Sequence, residues 1–241
     1  MAFQVAFEQL KLGHRVAPAA TGIPIRHNSV LFKLSNAKQH LDALLSTEEW
    51  VVPTLSNATS GAPVATSSAG GSIPPAQISP TAYHISGNMD DFFGNLASAF
   101  DFFSQIVNLA YFASPLNESI VDLNVIVREM KTRRPSESMT TQLSSLRRQR
   151  WYVSLNLYRR CATHRKIIQC QVITSQSLTQ TSPYALMRIV LPDNPFDDRP
   201  TYHMNRDVVF VKTIFINAIG SLDQLFHTLE SRIKTANQIP V

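Results

Sequence analysis

Arg159, Arg160 and His164 fall within six consecutive positions, and they are the side-chain types that handle a phosphodiester. Imidazole exchanges protons near neutral pH, and guanidinium stabilises phosphate oxygens. Around them the positive charge is concentrated. Between Lys131 and Lys166 stand Lys131, Arg133, Arg134, Arg147, Arg148, Arg150, Arg159, Arg160, Arg165 and Lys166 against the single acid Glu137. That segment carries +9 and the remainder −4, within a net charge of +5. A local field of this kind attracts polyanions even on a mildly basic protein. The plainer reading of the same run is a solvated helix flank.

The rest of the chemistry is sparse. Cys161 and Cys170 are too few for a disulfide framework and lack the neighbours of a metal site. Cys161 reads as a small packing residue. His14, His27, His40, His84, His203 and His227 show no close ligand spacing and read as structural or surface groups. The acids from Asp193 to Asp198 read as a turn, because no regular calcium loop surrounds them. No cofactor is expected. No uninterrupted apolar run approaches the roughly 20 residues of a membrane span, and the start lacks the order of a secretory signal, so the expectation is a cytoplasmic protein without a membrane partner.

The basic segment is carried by helices. Leu31, Leu34, Ala37, Leu41 and Leu45 predict one over about 30–45, within an N-terminal helical appendage of residues 1–50. Residues 51–86 are rich in Ser, Ala, Gly and Pro and read as a linker or long loop. The main domain is expected over 87–241. Its first helix opens near Asn88, Asp90 and Asp91 and continues through Phe92, Phe93, Leu96, Phe100, Phe103, Ile106 and Val107, an aromatic face that belongs in a core. A second helix is predicted from Pro115 to Met130, and a third as one continuous rod from Ser136 to about His164.

On that rod, Trp151, Leu155, Tyr158 and Ala162 fall within about 60° of one another at 100° per residue. Leu146, Val153, Leu157, Arg160 and His164 make an opposing stripe. A helix apolar on two sides must be covered twice, by its own bundle and by additional chain or a second subunit. Arg159 lies about 140° from His164, yet its length allows it to reach the same cleft. Strands are expected over Lys166–Ile173 and Tyr184–Leu191, then a turn-rich loop, and a final helix from Asp207 or Thr213 to Ala236. The fold class is therefore mainly α, a helical bundle with a small antiparallel β element in the C-terminal half.

The run Leu157-Tyr158-Arg159-Arg160-Cys161-Ala162-Thr163-His164-Arg165, near the end of a long helix, resembles the motif of HEPN domains: Arg, a polar residue, three of any kind, His. The preceding helix with Ala99 to Leu109 is similar to the start of the HEPN bundle, and the strand-bearing region up to Ala236 resembles the β elaboration of some microbial members. The resemblance covers roughly residues 87–236. It implies a homodimer that binds RNA and acts as a metal-independent endoribonuclease, a toxin or a defence or stress effector, with an antitoxin or another protein as a further partner.

Under that resemblance Arg159, Arg160 and His164 are the catalytic candidates, and Arg147, Arg148, Arg150, Arg165 and Lys166 hold the substrate. His164 removes the 2′-OH proton or protonates the leaving 5′-oxygen, Arg159 stabilises the transition state, and two copies supply two histidines. Upstream acidic helpers correspond to Glu118 or Glu129. The sequence departs from the family after the motif arginine, where Arg160 replaces a small or neutral polar residue. The same face then serves equally as a non-catalytic module that binds a nucleotide or a protein.

Overall fold

Apolar residues at three- and four-residue spacing build the centre of the molecule. In a computed structural model, which describes residues 22–48, 80–164, 167–177 and 184–238, six α-helices and one three-stranded antiparallel sheet are present among the described residues. Helix α1 spans Ile23–Glu48 and α2 spans Pro80–Tyr111. The two run antiparallel, since Lys33 Nζ donates to Asn95 Oδ1 at 3.1 Å and, further along α1, the His40 ring Nδ1 pairs with Asn88 Oδ1 at 2.9 Å, further back on α2. Phe92, Phe93, Leu96, Phe100, Phe103, Ile106 and Val107 are all buried, so the aromatic face of α2 is the core as its spacing predicts. Ile23, Val30, Ala37, Leu41 and Leu44 of α1 lie in that same core. The stretch read as linker already turns helical at Pro80, and the remainder of it, 51–79, lies outside the described residues.

Downstream of α2 the helices begin and end differently from their sequence pattern. No helix opens at Pro115. Asn108 instead folds the chain back, its side chain donating to Leu116 O at 3.0 Å and accepting from Leu116 N–H at 2.9 Å. A 3-10 turn follows over Glu118–Ile120, and α3 spans Leu123–Arg133 with Asp122 as its N-cap, accepting from Val125 N–H at 2.8 Å. A carboxylate with extended backbone starts a helix by satisfying an otherwise orphan N–H, which proline cannot do for the turn after it.

The expected rod from Ser136 to His164 is two helices. Helix α4 spans Ser138–Leu146 and α5 spans Arg150–Thr163, separated by Arg147, Arg148 and Gln149. The reason is phase. In a single rod, Leu146 and Val153 are only about 20° apart and would share one face, yet Leu146 is buried and Val153 is 55% exposed. Breaking the helix at Gln149, whose backbone is extended (ψ 134°), lets Met139, Leu143 and Leu146 of α4 and Tyr152, Leu155, Tyr158 and Cys161 of α5 reach the same core.

Strand β1 spans Gln171–Ser177, β2 spans Tyr184–Pro192 and β3 spans Tyr202–Asp207, in the order β1-β2-β3. Gln171 pairs with Val190 and Ser177 with Tyr184, while β2 and β3 pair at Val190 and Asp207 and, across an irregularity, at Pro192 and Tyr202. Residues 167–170 are not strand, so β1 starts later than its sequence pattern suggests. The last helix, α6, spans Val208–Gln238. It packs in the core through Val211, Ile214, Phe215, Ala218, Leu222, Leu225 and Leu229. Its Val208–Lys234 portion is also long and apolar enough, by length and composition alone, to cross a membrane, whereas no such segment was expected from the sequence. Lys212, Asp223, Glu230, Arg232 and Lys234 interrupt that portion.

Candidate nucleic-acid interface

Helix α5 presents a face to solvent that its neighbours do not cover. Arg150, Val153, Arg160 and His164 are exposed and Leu157 is half-buried, and at 100° per residue these five fall within about 80°. The face ends at His164, whose backbone N–H accepts the role of helix terminator by donating to Arg160 O and Cys161 O at 3.1 and 3.2 Å. Its imidazole is open to solvent. At the other end, Arg147 and Arg148 are exposed in the turn between α4 and α5, and neither they nor Arg150 enters an ion pair among the described residues. Arg165 and Lys166 lie outside the described residues.

Arg159 does not join this face. It extends to α2, where it holds Asp101 through both nitrogens, Nη2 to Oδ2 at 2.5 Å and Nη1 to Oδ1 at 3.4 Å. Burial raises the Asp101 pKa, with the Arg159 charge and hydrogen bond opposing that effect and Asp122 adding to it. Tyr152 sits beside the pair, its hydroxyl pushed up to about 12 by burial. A guanidinium that neutralises a desolvated carboxylate is a structural tie between α2 and α5. The expectation that its length carries Arg159 to the cleft of His164 is therefore corrected: a nearby half-buried acid, which the sequence pattern did not single out, claims it first.

Arg160, in contrast, stays near His164. Its guanidinium lies over the Phe196 ring, 5.8 Å from the centroid. Phe196 belongs to the loop 193–201, and that loop with the end of β2 is additional chain covering part of α5: Tyr158 donates its hydroxyl hydrogen to Pro192 O at 2.6 Å, and the Cys161 thiol points to Pro195 O at 3.5 Å. Phe93 stacks on Tyr158 from the other side, with centroids 4.7 Å apart. Glu118 and Glu129 do not serve as helpers to His164. Glu118 pairs with Arg26 of α1, and Glu129 with Arg128 and Arg133 of its own helix.

Three features had no strong signal in the sequence. Asp90, half-buried on α2, accepts from Ile168 N–H at 3.2 Å and so ties down the segment that follows α5; burial is the main reason its pKa rises to about 6. Cys170 nearby is a half-buried thiol, its pKa raised by desolvation and by the Asp90 charge. The third is at the base of the 193–201 loop. Asp193 Oδ1 receives Arg206 Nε at 2.9 Å, while its Oδ2 receives His203 Nε2 at 2.9 Å and the Thr201 hydroxyl at 3.0 Å. The turn-like acid and the histidine read as surface groups are thus partners, brought together by the β2–β3 pairing. Among the described residues no three His, Cys, Asp or Glu side chains converge on a metal-sized site.

With this geometry established, comparison with protein-family models, curated proteins and solved structures returned no match.

Proposed function

We propose that this chain is a cytoplasmic RNA-binding protein of HEPN-like character, which engages the phosphate backbone through Arg147, Arg148, Arg150 and Arg160. The observation that supports this most directly is one solvent-facing stripe of α5, Arg150, Val153, Leu157, Arg160 and His164, continuous with an arginine turn that no acid neutralises among the described residues. Cations placed along a helix face release counterions from a nucleic acid when they bind it, and an exposed imidazole at the end of the row stands where a strand would pass. In the same reading, two copies meet across Val153 and Leu157, which brings two His164 side chains to one groove and permits metal-independent cleavage to a 2′,3′-cyclic phosphate.

A second reading, a non-catalytic nucleotide- or protein-binding module, is favoured by one observation: the motif guanidinium of Arg159 is committed to Asp101. The decisive experiment is fluorescence anisotropy of a labelled oligoribonucleotide in EDTA at several salt concentrations, run beside a gel assay for cleavage and light scattering for mass. Salt-sensitive binding, cleavage lost in His164→Ala and a dimer converted to monomer by Val153→Asp support the first reading. Binding without cleavage selects the second as a nucleic-acid binder, and absence of any RNA affinity removes the first and leaves the second only as a protein-binding module.

A further inference from the structure

His203 is an imidazole held by a carboxylate that is itself held on several sides. It stands on β3 with a side chain 69% exposed, and its Nε2 is 2.9 Å from Asp193 Oδ2. Asp193 does not wander, because Arg206 Nε and the Thr201 hydroxyl hold the same carboxylate and its own N–H donates to Thr201 O at 2.9 Å. Arg206 is fixed in turn. Its Nη1 donates to the Tyr158 hydroxyl at 3.2 Å, and its guanidinium lies 5.3 Å from the centroid of Phe210. A chain of contacts therefore runs from the buried Tyr158 of α5, through Arg206 and Asp193, to an imidazole at the surface.

The chemistry of such an arrangement is specific. With Asp193 accepting the Nε2 proton, Nδ1 of His203 carries the lone pair of a base held in one orientation on a largely exposed side chain. By comparison, His40 is held by Asn88 and its Nε2 stands at 3.9 Å from Asp91, and His227 reaches Asp223 and Glu230 only at 3.6 and 3.9 Å. The dyad is also linked to the proposed RNA face. The loop that Asp193 and Thr201 close carries Phe196, the ring beneath Arg160, so a strand following α5 past Arg160 runs onto this loop.

We propose that His203, positioned by Asp193, is the general base for RNA cleavage, acting within one chain in place of the paired His164 side chains; this rests on the RNA-binding reading above and not on its dimeric cleavage site. Nδ1 takes the proton of a ribose 2′-OH, the 2′-oxygen bonds to the adjacent phosphorus, and the bond from phosphorus to the 5′-oxygen breaks. That oxygen leaves with a proton from water, and the hydroxide so formed takes the proton back from His203. The products are a 2′,3′-cyclic phosphate and a 5′-hydroxyl end, with no metal and no net consumption of water.

The test is single-turnover cleavage of a labelled oligouridylate by the full chain in EDTA from pH 5 to 8, with affinity measured in parallel by anisotropy. His203→Gln is expected to lower the rate constant about 100-fold or more and to abolish its rise with pH, with RNA affinity unchanged within about twofold. Asp193→Asn, whose amide favours the tautomer protonated at Nδ1, is expected to lower the rate comparably and move the pH profile. Circular dichroism of both variants reports folding, and His203→Gln, at an exposed site, keeps the test sharp if Asp193→Asn unfolds. Cleavage by His203→Gln within about threefold of wild type overturns the proposal. So does wild-type protein that binds RNA without cleaving it, an outcome that leaves the RNA-binding reading standing; failure to bind RNA at all removes both.

Discussion

Replacing Arg159 with alanine tests whether the motif arginine works for the fold or for chemistry. In the structure it neutralises Asp101 through two contacts, and the side chains retain 29% and 21% exposure. Two unit charges about 4 Å apart attract by about 4 kcal/mol at an effective dielectric constant near 20. Removing one partner of a fully buried pair costs about 3–5 kcal/mol, because the other charge is left stranded. With roughly a quarter of each side chain still wet, the expected loss for Arg159→Ala is about 2–3 kcal/mol. In a chain of this size that lowers Tm by roughly 4–12 °C. Urea unfolding followed by circular dichroism at pH 7.5 measures it. Adding Asp101→Asn to Arg159→Ala removes the stranded charge and is expected to recover about 1–2 kcal/mol, whereas His164→Ala, at an exposed helix end, stays within about 0.5 kcal/mol of wild type. A stability of Arg159→Ala within about 0.5 kcal/mol of wild type would refute the reasoning, and the arginine would again be free to act on a phosphate. If the loss is as large as worked here, diminished activity in this variant reports unfolded protein as well as chemistry, and only His164 and His203 variants read the chemistry cleanly.

The remaining predictions follow from single sites. Asp90 has a folded-state pKa raised to about 6, so the folded protein binds more protons than the unfolded chain between about pH 4 and 6, and its contribution to stability is lost as pH rises through that window. Asp90→Asn, which keeps an acceptor for Ile168 N–H, is expected to stabilise the protein by about 1 kcal/mol at pH 7.5 after discounting for solvent screening and by nothing at pH 4, as thermal melts at the two pH values will show. Tyr158→Phe removes the donor to Pro192 O and the acceptor of Arg206 and is expected to cost about 1–3 kcal/mol in urea unfolding, since the Pro192 carbonyl is left unpaired. Arg147→Ala with Arg148→Ala is expected to weaken RNA binding uniformly across sequences and to reduce the slope of log affinity against log salt by about 1.4, two phosphate contacts on a single strand. An unchanged slope would take those arginines out of the interface.

Hydrophobic periodicity made most of the helical core legible in advance. The aromatic face of α2 and the buried positions Leu155 and Tyr158 of α5 are where their spacing puts them, because burying an apolar stripe is a local instruction repeated every turn. Strand β2 was legible as an apolar run. Strand β3 was not: Tyr-His-Met-Asn-Arg-Asp carries no alternation, none of it is buried, and backbone pairing to β2 is what makes it a strand. The break at Gln149 was equally hidden, since no glycine or proline announces it.

By itself, the order of residues determined that positive charge gathers between Lys131 and Lys166, that the chain is mainly helical, and that Arg160 and His164 share one side of a helix. Side-chain type and the 100° turn are enough for that. Only the tertiary structure decided which of those cations remain available. Asp101 lies 58 positions from Arg159 and captures it, the α4–α5 break turns Leu146 inward and Val153 outward, and the β2–β3 pairing sets His203 against Asp193. Each of these depends on groups distant in sequence meeting where water is partly excluded, and there the nearest opposite charge, not the nearest neighbour along the chain, sets what a side chain can do.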